Sequence, residues 1–183
     1  EAARKHNLLL HLDGARLWNA SVASGIREAD YASIFDTVSV CFSKGLGAPV
    51  GSLLAGSFLA IEKARFYRKQ QGGAMRQVGI LAEAAKYALK HNRNRLSEDH
   101  KNCQILAKGL AKLPGIEVDK AGPETNMLFI NTGNHDAADL VKRFEGLGVR
   151  LLQTGQNTLR VVTNLTVKRE EIKEVLSAFE YLT

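Results

Sequence analysis

The stretches His11-Leu-Asp-Gly-Ala-Arg16 and Thr37-Val-Ser-Val-Cys-Phe-Ser-Lys44-Gly45 decide the fold class of this 183-residue chain. The apolar run at 8–12 ends at Asp13, and the apolar run at 37–42 ends at Ser43 and Lys44. Short apolar runs that end at such turn residues are typical of buried strands. In an α/β sheet, ligands bind at the carboxyl ends of the strands. We therefore predict that Asp13 and Lys44 lie at the ends of adjacent strands.

Helix and strand patterns alternate around these two stretches. We predict strands at 8–12, 37–42 and 52–56, and helices around 15–24, 57–69, 77–90 and 96–113. Strands joined through helical segments predict an α/β fold with a mostly parallel sheet. His11 and Cys41, inside the first two strands, are predicted to be packed core residues rather than a base or a nucleophile.

A region of different texture begins at Pro114 and Gly115. Its pattern is typical of a small α+β unit, with strands at 116–118, 127–131, 149–152 and 158–162 and helices at 137–147 and 167–182. The last helix carries Ile172, Val175, Leu176 and Phe179 on one face. The boundary between the two parts is expected between His91 and Pro114. We predict two domains, residues 1–95 and residues 96–183.

Composition and charge narrow the class of protein. Apolar residues make up 45% of the chain and charged residues 24%, as in soluble globular proteins. The apolar runs are far shorter than the roughly 18 residues that cross a bilayer. Two cysteines suit a reducing compartment. The net charge of +6 is spread among acidic residues without a long basic run, which disfavours nucleic-acid binding. We expect a cytoplasmic protein without a membrane or nucleic-acid partner.

The first residues, Glu1-Ala-Ala-Arg-Lys-His-Asn7, have the pattern of a helix end, and a buried-strand pattern follows at once. A strand within a parallel sheet needs neighbours on both sides. We therefore expect that a substantial segment precedes Glu1 in the complete protein and supplies these neighbours.

Asp13 and Lys44 offer the two groups that a pyridoxal 5′-phosphate (PLP) site needs above all. A lysine amine forms a Schiff base with the cofactor's aldehyde, and a carboxylate keeps the pyridine nitrogen protonated, so that the ring withdraws electrons from the substrate. The residues alone leave other interpretations open. A lysine after a strand is usually a solvated loop residue, and an aspartate at such a turn often caps the next helix.

Further motifs make the interpretation more specific. They are Cys41-Phe-Ser-Lys-Gly-Leu-Gly-Ala-Pro-Val-Gly-Ser52, Arg68-Lys-Gln-Gln-Gly-Gly-Ala-Met-Arg76-Gln77, Glu124-Thr-Asn-Met-Leu-Phe129 and Leu159-Arg160-Val-Val-Thr163. Together with the first stretch they resemble the low-specificity L-threonine aldolases, which belong to the aspartate-aminotransferase-like, or fold-type I, group of PLP enzymes. The resemblance covers nearly the whole chain and matches the second half of a family member. It implies part of the PLP-binding large domain in residues 1–95 and the small domain in residues 96–183.

The resemblance also assigns roles to single residues. Lys44 would carry the cofactor as a Schiff base, Asp13 would pair with the pyridinium nitrogen, and Ser43 would orient the lysine or help to hold the phosphate. Arg16 would contact the phenolic oxygen of the cofactor and help to hold the substrate carboxylate. Arg160 would be the main clamp on that carboxylate, because a guanidinium fork matches a carboxylate in two hydrogen bonds.

Other assignments are less specific. Lys69 and Arg76 match basic positions near the family's subunit interface, on the phosphate side, and would otherwise be ordinary surface charges. Arg16 and Arg160 have similar alternatives, as a surface helix residue and as an outward residue of an edge strand. Asn164 stands where the family commonly has a histidine, which alters fine substrate contacts. The resemblance further implies a homo-oligomer, a tetramer built as a dimer of dimers.

The implied reaction is the retro-aldol cleavage of L-threonine or L-allo-threonine to glycine and an aldehyde, without a metal ion. The ring that stacks on the cofactor and the histidine linked with base catalysis would lie in the segment expected before Glu1, so we expect the chain alone to be inactive. Two alternatives remain. One is another fold-type I activity, a β-eliminating lyase or an aminotransferase, because fold and cofactor do not fix the reaction. The other is a non-catalytic remnant of the fold.

Overall fold

The structure, a computed structural model, describes residues 1–119 and 121–182. They form two compact units, Glu1–Asn94 and a second that begins at Arg95. In chain order, the first unit contains α1 (Ala2–Lys5), β1 (His11–Gly14), α2 (Leu17–Ser24), α3 (Glu28–Ala32), β2 (Thr37–Cys41), β3 (Ser52–Gly56), α4 (Phe58–Gln70) and α5 (Gly79–Asn92). The short helix α3 was not predicted from the sequence.

The sheet of the first unit has the strand order β1-β2-β3. β1 and β2 are parallel, and β3 runs antiparallel to β2. The described strands therefore make a mixed sheet instead of the mostly parallel one expected from the sequence. The short connection between β2 and β3 explains the difference, because residues 42–51 contain no helix and a parallel pair needs a crossover of a dozen or more residues.

The first strand begins later than the apolar run predicted. Leu8 and Leu9 are 57% and 84% exposed. The backbone N–H of Leu8 donates to the carbonyl of Ala3 at 3.0 Å, so this residue still belongs to the end of α1. The first backbone hydrogen bond to the region before β2 comes from Leu10, whose N–H donates to the Asp36 carboxylate at 2.7 Å. Extended pairing is thus possible only after the turn that closes the helix.

His11, at the start of β1, is exposed, so its predicted place in a core is wrong. Its Nδ1 lies 2.8 Å from Oγ1 of Thr37, which is its register partner on β2. The core beside these strands is formed by residues from α2 and β2, namely Leu17, Val38 and Val40. Cys41, at the end of β2, is half-buried.

The second unit contains α6 (Leu96–Leu110), β4 (Glu117–Val118), β5 (Met127–Asn131), α7 (Ala137–Gly146), β6 (Leu152–Gly155), β7 (Thr158–Val162) and α8 (Arg169–Leu182). Its sheet is antiparallel with the order β4-β5-β7-β6. The three helices and one face of the sheet share a continuous apolar core, in which Phe144, Leu159 and Phe179 are fully buried. In the described residues, no helix has both the length and the apolar character to cross a membrane.

Strand β6 begins three positions after the predicted start at residue 149. Gly148 adopts a positive φ of 78° at the end of α7. Its N–H donates to Glu145, and the N–H of Val149 donates to Phe144, both at 3.0 Å. This is the pair of hydrogen bonds of a Schellman motif, which satisfies the last carbonyls of a helix. Val149 therefore belongs to the helix end, and the strand starts after it.

Candidate active site

The carboxyl ends of β1 and β2 lie at one edge of the sheet, because the two strands are parallel with Asp13 opposite Ser39. Gly14 is buried directly beside β2. A Cβ atom at this position would lie 2.7 Å from the carbonyl oxygen of Ser39, which is too close for any other residue. The glycine that follows the aspartate thus lets the two strands approach one another at the edge where the predicted site residues stand.

Asp13 is exposed at the end of β1. Its Oδ1 accepts a hydrogen bond from the backbone N–H of Ala15 at 3.1 Å, which shapes the turn into α2. The residue at the N-cap of α2 is Arg16, which makes no side-chain capping bond. Asp13 therefore organises the turn, and its carboxylate stays accessible to solvent. Arg16 itself is half-buried.

Lys44 is exposed on the loop between β2 and β3, and backbone hydrogen bonds hold that loop. The N–H groups of Phe42, Gly47 and Ala48 donate to Gly51, Lys44 and Phe42 respectively, at 2.8–3.0 Å. Gly47 and Gly51 have positive φ angles of 72° and 120°, which favour glycine. The main chain of Lys44 is thus fixed, and its side chain, like that of the preceding Ser43, faces solvent.

The end of helix α5 is hydrogen-bonded to the same loop. The Asn92 side chain donates to the carbonyl of Leu46 at 2.8 Å, and Leu46 is 1% exposed. The next residue, Arg93, makes two hydrogen bonds of 2.8 Å to the two carboxylate oxygens of Glu28 on α3. Burial raises the pKa of Glu28, but the hydrogen bonds and the positive charge of Arg93, together with a backbone hydrogen bond and one from Ser21, outweigh it, so the net pKa is lowered. This ion pair secures the end of α5 from which Asn92 reaches the loop.

Trp18 is a supporting residue that sequence reasoning missed. Its Nε1 donates to the carbonyl of Cys41 at 3.0 Å, and its ring stacks on Phe42 with centroids 6.2 Å apart. It therefore ties α2, which follows Asp13, to the end of β2, which precedes Lys44. The available signal was weak: Trp18 is the one tryptophan in the chain and lies two residues after Arg16.

Arg160 belongs to the second unit, in the middle of β7. Its neighbours Leu159 and Val161 are buried in the core, so Arg160 lies on the opposite face of the sheet. Its register partners there are Phe129 on β5 and Leu152 on β6, both about half exposed. Arg160 is flanked by strands on both sides, so the alternative of an edge-strand position does not hold. Among the described residues, its Nε is a buried side-chain nitrogen without a hydrogen-bond partner.

The remaining predicted residues lie at the surface. Lys69, in α4, and Arg76, between α4 and α5, are both exposed. Asn164, just after β7, makes local hydrogen bonds, because its Oδ1 accepts from the N–H and the hydroxyl of Thr166.

Cys103, in the core of the second unit, has its pKa raised by burial to about 11, so the thiol stays protonated and is no nucleophile at neutral pH.

The structure thus places Asp13 near the carboxyl end of β1, and Arg16, Ser43 and Lys44 in the segments that follow β1 and β2 at the same edge of the sheet. Arg160 stands by itself on the open face of the second sheet. The described parts of the chain contain no cluster of three or more residues suited to hold a metal ion.

Comparison with known proteins shows which proteins the chain resembles. The chain is 42% identical over 183 residues to a low-specificity L-threonine aldolase of Arabidopsis thaliana, covering 98% of this chain and 51% of that protein. It is 45% identical over 175 residues to a low-specificity L-threonine aldolase of Escherichia coli K12, covering 96% and 51%. The chain spans about half the length of the curated relatives it matches.

A solved structure of Leishmania major threonine aldolase superimposes with a TM-score of 0.78 at 26% identity, covering 99% of this chain and 54% of that one. The predicted resemblance and the predicted α/β, fold-type I class are thereby confirmed. The sequence model of the beta-eliminating lyase family matches residues 1–133. The chain therefore belongs to the beta-eliminating lyase family.

Proposed function

We propose that this chain supplies the cofactor attachment site and the substrate clamp of a PLP-dependent lyase that cleaves L-threonine or L-allo-threonine to glycine and acetaldehyde. The observation that carries the proposal is the parallel pairing of β1 and β2, with an exposed carboxylate near the carboxyl end of β1 and an exposed lysine on the loop after β2. The names of the relatives, which are low-specificity L-threonine aldolases, support the reaction type.

The chemistry of the residues present fits PLP. A primary amine on a fixed loop suits the aldehyde of the cofactor, and an exposed carboxylate on the neighbouring strand end suits its ring nitrogen. The buried, unpartnered Nε of Arg160 suits a carboxylate acceptor, since a buried donor gains most from a charged partner. Ser43 and Arg16 stand beside these groups in sequence and suit the phosphate and the phenolic oxygen.

Each residue then has a distinct task. Lys44 would hold the cofactor through Nζ, and Asp13 would keep a proton on the ring nitrogen. When bound, PLP supplies a conjugated ring that accepts the electron pair left on Cα as the Cα–Cβ bond breaks. Arg160 and Arg16 would hold the substrate carboxylate and so fix the orientation of the bonds at Cα. Orientation of this kind lowers the barrier because the reacting geometry is reached on binding.

We further propose a cytoplasmic homo-oligomer, a tetramer built from dimers, with Lys69 and Arg76 near the interface on the phosphate side. Residues 1–95 would belong to the PLP-binding domain and residues 96–183 to the small domain. Light scattering coupled to gel filtration measures the mass directly. A tetramer that becomes smaller in the variant Lys69→Glu with Arg76→Glu would support this assembly, and a monomeric wild-type protein would contradict it.

A second reaction has a specific observation in its favour, because the matching family is named for β-elimination. Product analysis separates the two. Glycine and acetaldehyde from L-threonine indicate aldol cleavage, whereas a 2-oxo acid and ammonia indicate elimination. Transfer of the amino group to a 2-oxo acid would instead indicate an aminotransferase.

Borohydride reduction tests the cofactor site directly. The protein is incubated with PLP, reduced and digested, and the peptides are mapped by mass spectrometry. We expect a pyridoxyl adduct on Lys44 in the wild type and in Lys63→Ala, an exposed lysine of α4 that serves as a matched control. We expect no specific adduct in Lys44→Ala.

Adducts spread over many surface lysines, or an adduct that persists in Lys44→Ala, would contradict the PLP site at Lys44. Because the chain alone is expected to be inactive, turnover is measured on the full-length protein. There, a specific adduct at Lys44 without turnover of any amino acid would favour the non-catalytic alternative. The adduct and the product assay together therefore distinguish the cofactor class from the reaction.

A further inference from the structure

The residue that ends β7 is unusually well fixed. Thr163 is 2% exposed and follows Val162, the last residue of the strand. Its backbone N–H donates to the carbonyl of Asn126 at 3.0 Å, and its own carbonyl accepts a 2.7 Å hydrogen bond from the Asn126 side chain. Its hydroxyl donates to the carbonyl of Asp99 at 2.7 Å. The backbone N–H, the backbone carbonyl and the hydroxyl of Thr163 are therefore all hydrogen-bonded.

Asn126 takes the place of a further ladder step between β5 and β7. It directly precedes Met127, the first residue of β5, and is 3% exposed. In the register, Met127 lies opposite Val162, so Asn126 and Thr163 form the next pair. Side-chain and backbone bonds together close this pair, whereas a regular pair would use backbone groups alone. The end of β7 is thus locked at the position where the strand would otherwise fray.

Helix α6 supplies the second anchor. Asp99, whose backbone carbonyl accepts the hydrogen bond from the Thr163 hydroxyl, is itself completely buried. Its carboxylate pairs with Arg95 one turn earlier, with a shortest distance of 2.7 Å. Thr163 is therefore joined both to β5 and to a helix of the core, which fixes its position in two directions.

The opposite end of β7 is held in a comparable way. Thr132, which follows β5, is fully buried, and its N–H and its hydroxyl both donate to the Asn157 carbonyl, at 2.8 and 3.1 Å. Between these two anchors lie the five residues of β7, with Arg160 at the centre. Outer residues that hold a functional side chain in one orientation contribute to binding without touching the ligand.

We propose that Asn126 and Thr163 are positioning residues, which hold the carboxyl end of β7 so that the Arg160 guanidinium is presented in one orientation to a substrate carboxylate. The inference rests on the proposed function of Arg160 and deepens it. A strand end that frays would let the guanidinium sample several directions. An amino-acid carboxylate would then bind more weakly, because binding would also have to order the guanidinium. Asn126 and Thr163 order the strand end before the ligand arrives, so that less conformational entropy is lost on binding.

The test compares Thr163→Val, which removes the hydroxyl at nearly constant volume, with Thr163→Ser, which keeps it. Asn126→Ala removes the carboxamide. Leu140→Ala, in the core of the same unit, is the control for lost stability without contact to this pair. The first readout is the side-chain Nε–H resonance of Arg160 in ¹⁵N-labelled protein, assigned by its absence in Arg160→Lys. We expect hydrogen exchange at this N–H to accelerate on the order of tenfold in Thr163→Val and Asn126→Ala, because local opening becomes easier, and to stay unchanged in Thr163→Ser and Leu140→Ala.

The second readout is ligand binding to the PLP-loaded protein, followed through the absorption spectrum of the cofactor. Glycine carries the carboxylate, and ethanolamine has a hydroxymethyl group in its place. We expect the Kd of glycine to rise on the order of tenfold in Thr163→Val and Asn126→Ala, while the Kd of ethanolamine stays the same. In turnover by the full-length protein, we expect the KM of threonine to rise and kcat to change little.

Unchanged exchange of the Arg160 N–H in both Thr163→Val and Asn126→Ala would overturn the inference, as would equal effects in Leu140→Ala. If Asn126→Ala fails to fold, the valine and serine variants of Thr163 decide. If Arg160→Lys leaves glycine binding intact, the proposed carboxylate role of Arg160 fails. The exchange measurement still reports on positioning in that case, so the two failures are distinguishable.

Discussion

Lys44 and Arg160 are held in opposite ways, although the proposed chemistry uses both. Lys44 stands on a loop whose backbone is fixed by hydrogen bonds and by Asn92, and its side chain is exposed. Arg160 stands in mid-strand, with apolar neighbours packed into a core and its Nε buried. A lysine that must bond to and leave a cofactor benefits from a free side chain on a fixed backbone. An arginine that must orient one carboxylate benefits from a side chain that is itself confined.

The support around the two residues differs in kind. Fifteen buried residues of the second unit form the core beneath Arg160. In the first unit, β3 is exposed along its whole length and α4 contains no buried residue, while specific polar contacts such as those of Trp18, Asn92 and Arg93 surround the loop of Lys44. The stability of the second unit should therefore depend on packing, and that of the first on close approaches and hydrogen bonds.

The largest effect is expected for Phe144→Ala, in the core of the second unit. Phe144 is fully buried and its ring lies 4.3 Å from that of Phe179. Loss of its packing should lower the free energy of unfolding by about 3–5 kcal/mol. The control is Phe129→Ala on the open face of the same sheet, where the side chain is 54% exposed. Chemical denaturation followed by circular dichroism measures both, and equal losses would mean that packing does not distinguish the two faces.

A smaller loss is expected for Gly14→Ala in the first unit. The new Cβ would lie 2.7 Å from the Ser39 carbonyl, so the two strands must separate, at a cost of about 1–3 kcal/mol. Displacement of β1 should also weaken the PLP adduct at Lys44, because Asp13 moves with the strand. The control is Gly79→Ala at the start of α5, where nothing lies within 4 Å of the added atom. A thermal unfolding curve for Gly14→Ala that matches that of Gly79→Ala would refute the close-approach argument.

The smallest of the three effects is expected for Glu28→Gln, which breaks the pair with Arg93 behind the Lys44 loop. We expect a loss of about 1 kcal/mol at neutral pH. The pKa of Glu28 is lowered in the folded protein, so its contribution is present above the ordinary carboxyl pKa and is lost as the pH falls through the folded-state value. The difference in unfolding free energy between wild type and variant should therefore shrink on acidification.

Denaturation at a series of pH values from neutral to acidic checks this dependence. Glu62→Gln, which removes an exposed pair with Arg65 on α4, is the matched control and should change little at any pH. A difference between wild type and Glu28→Gln that stays constant over the whole range would indicate that the ion pair contributes nothing specific to the first unit.

Much of this molecule could be predicted from local pattern. Strands β2, β3, β5 and β7 and the main helices follow from apolar periodicity, glycine breaks and β-branched runs, because these patterns act over neighbouring residues. Asp13 and Lys44 could be singled out because polar residues stood at the ends of two such strands. The start of β6 could not, since Val149 is apolar and only the hydrogen bonds that end α7 exclude it from the strand.

The fold class, the chemical groups of the candidate site and the resemblance to the aldolases can all be predicted from the sequence alone. The direction of β3, the exposure of His11 and the roles of Trp18, Asn126 and Thr163 as supports emerge only in the folded chain. These features depend on contacts between residues that are distant along the chain. Trp18 meets Cys41, and Thr163 meets Asn126 and Asp99, through hydrogen bonds between residues far apart in sequence. Such contacts leave no periodic pattern, and their partners become neighbours only when the sheets and helices pack.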